Sequence, residues 1–207
     1  RYFEACTKHP HPNGLAMAIA HSNQAGLLAG EHAQGNFEAC VKHKEPLRLS
    51  NIISYLRLSR LLVGEQGQKN FQICVNHQNL TGLADLIQEL YPSGLLTGKQ
   101  GQENFKICAN HQYPNRFSLA IRDLHLSGLL TGEQGQKNFE KCANHPNPSW
   151  LDWGIGFLYS LGFLVGEYGQ TNFEAFASHP DPHELADAIS VLHEAGLLAV
   201  EQGQYYF

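Results

Sequence analysis

The stretch Leu129–Pro148, LLTGEQGQKNFEKCANHPNP, decides the fold, because its pattern recurs along the chain at one fixed spacing. Phe105 and Phe139 lie 34 positions apart, and the same interval separates every equivalent phenylalanine and histidine without an insertion. The two series are Phe3, Phe37, Phe71, Phe105, Phe139, Phe173 and Phe207, and His9, His43, His77, His111, His145 and His179. Self-similarity at this period is typical of helical repeat proteins.

The spacing divides the chain into six repeats. Their ranges are 2–35, 36–69, 70–103, 104–137, 138–171 and 172–205. A 34-residue repeat cannot bury a core alone, so each must cover its neighbour. We therefore expect residues 1–207 to form a single repeat domain. Because the chain begins and ends inside a repeat, we also expect it to be a fragment of a longer protein.

Each repeat is predicted to hold two helices, of which the first begins at an Asn-Pro or Asp-Pro step. At Asn147–Pro148 and Asp181–Pro182 the polar side chain is expected to cap the helix, with proline at the first helical position. Leu185, Ile189 and Leu192 then fall at i, i+4 and i+7, which indicates one apolar face.

A glycine such as Gly128 follows the first helix and is expected to end it in the left-handed conformation. Arg60 takes this position in the second repeat, where we expect a cap that is either strained or built differently. Thr131, with Gln134 three residues later, has the spacing of a capping box for the second helix. A recurring small residue, such as Gly135, is expected to allow close helix contact. The predicted fold is all-α: a right-handed α-solenoid of six two-helix repeats.

The chain has five Cys-x-x-His pairs, at Cys6/His9, Cys40/His43, Cys74/His77, Cys108/His111 and Cys142/His145. A closed zinc site needs four converging ligands, whereas each repeat supplies two. The sixth repeat has Phe176 in place of the cysteine. We therefore expect free, buried cysteines, no metal and no cofactor, with a Cys/His metal-binding array as an alternative.

A polar edge of Gln, Asn and His recurs beside the apolar face of the second helix, as in Gln100, Asn104 and His111. We expect a hydrogen-bond ladder between neighbouring second helices, in which the histidine also bonds the last carbonyls of its own helix. A row of ligand-binding polar groups is the alternative.

The charge pattern argues against a nucleic-acid groove, although helical repeats of this length include nucleic-acid readers that recognise one base per repeat. Such a groove needs a continuous basic stripe, and the net charge is −5, with no Lys or Arg in the sixth repeat. Nucleic-acid binding remains the alternative from another functional class. The sequence has no apolar run long enough to span a membrane. It also lacks catalytic motifs such as G-x-S-x-G or HExxH, so we expect a protein that is not an enzyme.

Residues that vary between repeats are the candidates for recognition. In the fifth repeat Trp150, Trp153 and Phe157 lie at i, i+3 and i+7, so three aromatic rings share one side of the first helix. Trp, Tyr and Arg dominate binding hot spots. We expect a partner protein or peptide to bind these rings and the surrounding variable positions. Those positions are Arg116, Leu119, Asp187, Arg48 and Tyr55. The alternative is that the rings pack against another part of the protein.

The two-helix repeat resembles the tetratricopeptide class of α-solenoids in length and layout, across the whole chain, although it lacks that class's Trp, Leu-Gly and Tyr signature. The sequence pattern GLLTGEQGQxNFxxCxxHPNP also resembles tandem repeats in effectors that intracellular bacteria inject into host cells. These resemblances imply a scaffold or targeting segment for a protein partner. Free thiols suit a reducing compartment, so we expect a cytoplasmic location, which for an injected effector is the host-cell cytosol.

Overall fold

The computed structural model describes residues 1–198, which form twelve α-helices and no strand. Six are first helices of the repeats: α2 (Pro12–Gln24), α4 (Pro46–Leu58), α6 (Leu80–Leu90), α8 (Pro114–Leu126), α10 (Pro148–Ser160) and α12 (Pro182–Glu194). Six are second helices: α1 (Tyr2–Lys8), α3 (Ala33–Lys42), α5 (Gly64–Asn76), α7 (Gly98–Asn110), α9 (Gly132–Ala143) and α11 (Gly169–Ala177). The end of the sixth repeat at residue 205 and the repeated Phe207 lie outside the described residues.

The helices belong to two compact units, Arg1–Asn110 and His111–Phe207, which we call the N-terminal and C-terminal units. In the N-terminal unit α2 packs on α4 and α4 on α6; in the C-terminal unit α8 packs on α10 and α10 on α12. First helices thus stack side by side, with the second helices behind them. The predicted all-α fold of six two-helix solenoid repeats is confirmed, whereas the single domain stays a prediction.

The first helices begin where the sequence predicts. Proline occupies the first position of five of the six, and α6 begins instead after Asn79, whose side chain accepts from the Gly82 N–H at 3.0 Å. Asp181 caps α12 by accepting from the N–H groups of His183 and Glu184, both at 3.1 Å. The capping role predicted for the Asn147 side chain is wrong, because its Nδ2 donates to the Pro180 carbonyl at 3.2 Å.

The turn between the two helices is a left-handed stop. Gly128 has φ +77°, and the Leu129 N–H donates to the Leu124 carbonyl at 2.9 Å, five residues back, as in a Schellman motif. Arg60 adopts φ +60° at the equivalent position. Among residues 1–198 it is the single non-glycine residue with a positive φ. Its predicted strain is confirmed, since a side chain is disfavoured in this region.

The threonine capping of the second helices is a wrong prediction. Thr131 occupies the N-cap position of α9, but its Oγ1 donates to the Gly128 carbonyl at 3.3 Å, and Thr97 Oγ1 donates to the Gly94 carbonyl at 2.8 Å. A hydroxyl that donates back into the left-handed turn stabilises the turn and leaves the helix amides without this cap.

The small residue of the second helix faces the preceding turn. A Cβ on Gly101 would lie 2.1 Å from the Leu96 carbonyl carbon, so the helix backbone rests on the backbone of the leucine pair. Around this contact the core of each repeat is apolar. Its fully buried members include Leu49, Ile53 and Leu56 of the second repeat and Phe71 of the second helix that follows.

Candidate functional site

Three aromatic side chains form an exposed cluster on α10. Trp150 and Trp153 keep 46% and 47% of their surface accessible, and Phe157 is half-buried. The Trp150 and Trp153 ring centroids are 6.2 Å apart with perpendicular planes, and those of Trp153 and Phe157 are 5.7 Å apart with planes parallel to within 2°. Edge-to-face and stacked pairs are the arrangements that aromatic rings favour.

The helical repeat of α10 explains this exposure. Leu151, Ile155 and Leu158 are fully buried and attach the helix to the core. Because residues three and four apart share a face, the positions of Trp150 and Trp153 fall outside this buried stripe. The core of the repeat therefore does not require the two tryptophans.

His183 of α12 extends the cluster across to the next first helix. Its ring lies 4.1 Å from that of Trp150, edge to face, and 6.2 Å from that of Trp153. Its Nδ1 is 3.5 Å from a carboxylate oxygen of Asp187, one turn further along α12. We call Trp150, Trp153, Phe157 and His183 the aromatic face. His183 was not predicted from the sequence, although a histidine that stands at this position in the sixth repeat alone was a visible signal.

The two neighbouring first helices supply the rim of the aromatic face. On α8, Arg116 is exposed and Leu119 keeps 49% of its surface accessible. On α12, the Asp187 side chain is 61% exposed and Val191 is also exposed. Leu119, Trp153 and Asp187 are equivalent positions, 34 residues apart, on three adjacent helices. The C-terminal unit thus holds six of the eight predicted binding residues.

The other two predicted residues lie in the N-terminal unit and are engaged with their own neighbours. Arg48 of α4 forms an ion pair with Asp85 of α6 at 3.3 Å. Tyr55 packs on Tyr91, with ring centroids 5.2 Å apart. Their role in binding stays a prediction.

A buried carboxylate lies on α10 between the two tryptophans in sequence. Asp152 is 4% exposed, and neither of its carboxylate oxygens has a hydrogen-bond partner in the described part of the chain. Burial raises the pKa of Asp152 to about 7, although attraction to the Arg116 guanidinium lowers it in part. By contrast, the buried Asp123 of α8 accepts two hydrogen bonds from Arg122, at 3.0 and 2.9 Å. Unpaired buried charge is costly and is more frequent at functional sites than elsewhere.

The cysteines behave as core residues. Cys40, Cys74, Cys108 and Cys142 are buried, Cys6 is half-buried, and all five are free thiols. Burial raises the pKa of all four buried thiols, which keeps them protonated and unreactive at neutral pH. The prediction of free cysteines buried in the core is confirmed for these four.

The repeated histidines connect consecutive helices in a way the sequence analysis did not foresee. In each of the six, Nδ1 accepts a hydrogen bond from the backbone N–H two residues later, at 2.9–3.2 Å. In His77 this places the proton of the neutral ring on Nε2, which donates to the Ala109 carbonyl of the neighbouring second helix at 3.1 Å. The predicted bonds to the last carbonyls of their own helix are wrong. The histidine instead fixes the start of the following first helix.

The predicted amide ladder is present, with a different glutamine than expected. Asn70 and Gln102 exchange two hydrogen bonds, at 2.7 and 2.9 Å, across neighbouring second helices. Asn70 Nδ2 also donates to the Leu61 carbonyl of the preceding turn at 2.7 Å. The predicted glutamine, represented here by Gln66, bonds Asn70 within its own helix at 3.0 Å. This part of the polar edge is structural.

Within residues 1–198, no group of three or more His, Cys, Asp and Glu side chains is placed to hold a metal ion. In the same range, every helix is too short or too polar to cross a bilayer. Comparison with protein-family models, curated proteins and solved structures finds no match for this chain.

Proposed function

We propose that this protein is a non-catalytic interaction scaffold whose aromatic face binds a peptide segment of a partner protein. The observation that carries the proposal is the exposure of two tryptophans, together with Phe157, on a helix whose core packing does not require them. Exposed aromatic clusters are uncommon on soluble proteins unless something binds them.

The form of the surface supports a peptide ligand. Tryptophan offers a large contact area with few torsions to restrict, so it gives binding free energy at small entropic cost. Leu119 and Val191 continue the apolar surface onto the helices on either side, and Arg116 and Asp187 give it a polar rim. An apolar centre with a polar rim is the usual arrangement of a protein-recognition site.

The described titratable groups give little support to a catalytic function. The buried cysteines have raised pKa values, and the six repeated histidines have Nδ1 engaged by the backbone. A nucleophile needs an adjacent base and a reachable substrate position. These groups serve the scaffold.

The resemblance to tetratricopeptide repeats and to repeats of injected bacterial effectors supports a role as the targeting segment of an effector. Free cysteines are consistent with a reducing compartment. In this proposal the working location is the cytoplasm, which for an injected protein is the host-cell cytosol.

The test uses a displayed library of random 12-residue peptides, selected on the wild-type chain and on Trp153→Ala. Selected peptides are synthesised and titrated while tryptophan fluorescence is recorded, because both tryptophans of the chain lie in the aromatic face. We expect Trp153→Ala to lose at least about 2 kcal/mol of affinity, as for a hot-spot residue. Helicity and melting temperature should stay nearly unchanged.

Leu126→Ala is the matched control, because Leu126 is an exposed apolar residue at the end of α8, outside the aromatic face. It should bind the selected peptides like the wild type. If Trp153→Ala unfolds, the ring is part of the core. If it folds and binds normally, the aromatic face is not the binding surface.

A further inference from the structure

The rim of the aromatic face carries charges that lack the partner available in the N-terminal unit. There, Arg48 and Asp85, 37 residues apart on adjacent first helices, neutralise each other. The same pair of positions in the C-terminal unit is Arg116 with Trp153. One helix further, it is Trp150 with Asp187. An aromatic ring thus replaces the opposite charge in both pairs.

These two charges remain largely available to a ligand. Arg116 is exposed and has no hydrogen bond or ion pair to any of residues 1–198, although it attracts the buried Asp152. Asp187 has the His183 ring as its neighbour, at 3.5 Å, which is an ionic partner only when the imidazole is protonated. One side of the aromatic face is therefore positive and the other negative.

The negative side is reinforced on α12. Asp181, the N-cap residue of α12, and Glu184 of its first turn are exposed acidic residues on either side of His183 in sequence. The Asp181 carboxylate accepts from two of the first amides of α12, so it offsets the positive end of the helix dipole. A cation placed here would meet carboxylates together with the faces of Trp150 and His183, and aromatic faces also attract cations.

The separation of the two charged sides sets the spacing of a ligand. Neighbouring packed helices lie about 8–10 Å apart, so α8 and α12 are separated by about 16–20 Å. An extended peptide covers roughly 3.3 Å per residue. About five or six residues therefore reach from one side of the aromatic face to the other.

We infer that the aromatic face binds an extended peptide with three features: a basic residue over the α12 carboxylates, apolar residues over the tryptophans, and an acidic residue near Arg116, five or six positions from the basic one. This inference rests on the proposed function and specifies the ligand of the same surface. The α12 carboxylates repel phosphate, which disfavours nucleic acid and anionic lipid on that side.

The test compares selections from the same peptide library on the wild type, on the double variant Glu184→Lys/Asp187→Lys and on Glu133→Lys. Glu133 is an exposed acid of α9 outside the aromatic face, so its variant shows the effect of reversing an acidic charge elsewhere on the unit. Wild-type peptides should carry Arg or Lys at one position and Asp or Glu five or six positions away. Their affinity should fall about tenfold or more in the double variant, which should select acidic residues instead, and should be unchanged in Glu133→Lys.

The outcomes separate this inference from the proposed function. Peptides that depend on Trp153 but carry no basic residue, or that bind the double variant as tightly as the wild type, would overturn the inference alone. If the wild type selects no peptide that depends on Trp153, both fall. Sedimentation that shows Trp153-dependent self-association would identify a second copy of the chain as the occupant and would overturn the peptide ligand.

Discussion

The first helices of the two units carry different kinds of side chain at the same repeat positions. In the N-terminal unit, Arg48 and Asp85 neutralise each other, and Tyr55 packs on Tyr91. These side chains are therefore already in contact with one another. In the C-terminal unit the positions equivalent to Arg48 and Asp85 include Trp150 and Trp153, which remain nearly half exposed. The backbone geometry is shared. A few substitutions at positions that the repeat does not fix therefore decide whether side chains on neighbouring first helices pair with each other or stay exposed.

The two units also differ inside. In the N-terminal unit Ile52 of α4 and Cys74 of α5 are fully buried, whereas the equivalent positions of the C-terminal unit hold Gly154 of α10 and Phe176 of α11. A Cβ on Gly154 would lie 2.1 Å from Cζ of Phe176, so the ring occupies the space that a side chain would fill. Large and small residues have exchanged places between the two helices.

The largest expected effect on the free energy of unfolding comes from a variant that removes the large residue of this exchanged pair. Phe176→Cys restores the residue of the other repeats but leaves Gly154 opposite it, so a cavity forms at a position that is fully buried. We expect a loss of about 2–4 kcal/mol in the free energy of unfolding, as for a large-to-small change in a core. Urea denaturation followed by circular dichroism measures it.

Gly154→Ala is the companion variant. In the wild-type background its methyl group clashes with Phe176 and should destabilise. In Phe176→Cys it fills part of the cavity and improves helix propensity, so it should stabilise. A methyl group that has the same effect in both backgrounds would contradict the proposed exchange.

The next largest effect concerns the unpaired carboxylate. Asp152→Ser introduces the residue found at the equivalent Ser50 and Ser118, and should raise the free energy of unfolding at pH 8 by about 1–3 kcal/mol, because it removes a buried charge. Since the folded-state pKa of about 7 lies above the usual aspartate value, the wild type should lose stability as pH rises from about 4 to 7. Thermal melts across this range measure the slope.

The groups around Asp152 are Arg116 on α8 and Cys142 on α9, and neither changes its charge in that interval: the guanidinium stays protonated, and burial raises the pKa of the thiol further. Asp187→Asn, on the exposed rim, serves as a control and should leave the slope intact. A stability advantage of Asp152→Ser that is the same at pH 4 and pH 8 would show that packing, and not charge, is responsible.

A smaller effect is expected in the core of the N-terminal unit. Cys108→Ala should cost about 1–2 kcal/mol, because it removes a small, fully buried group. Elemental analysis of the wild type and the variant should find no metal that depends on this residue. Stoichiometric zinc that disappears in Cys108→Ala would support the metal-array alternative instead.

The smallest expected effect on stability comes from a variant that compares the surface of the N-terminal unit with the aromatic face. Arg48→Ala removes a partly exposed ion pair, so the free energy of unfolding should change by no more than about 0.5–1 kcal/mol. Peptides selected by the aromatic face should bind this variant as they bind the wild type, but should bind Arg116→Ala more weakly. Equal weakening by both variants would indicate that the two units present one common surface to the ligand.

Much of the fold was predictable because the same helix starts, helix stops and apolar positions recur in the repeats. The proline starts, the glycine stops and the buried stripe of Leu151, Ile155 and Leu158 each follow from a periodic pattern with a known structural cause. Arg60, with φ +60°, shows that even a departure from the pattern could be interpreted correctly.

Hydrogen-bond partners were less predictable, because spacing restricts which groups meet but not which of them donates. Thr131 has the spacing of a cap, yet its hydroxyl donates backwards into the turn. Asn147 is at an N-cap and donates to the Pro180 carbonyl instead. His183 and Asp152 escaped notice for a related reason: a single ring or carboxylate acquires its role from the neighbouring helix, which no local pattern describes.

The paired amides of Asn70 and Gln102 have a consequence for how such a chain changes in length. Asn36 with Gln68, and Asn138 with Gln170, form the same reciprocal pair, so several joints between consecutive second helices offer identical donors and acceptors. A whole repeat can therefore be duplicated, deleted or exchanged by recombination at such joints without loss of a bond. An insertion of one residue inside a repeat would misalign the pair. The repeated pairing therefore favours changes in length by whole repeats over changes by single residues.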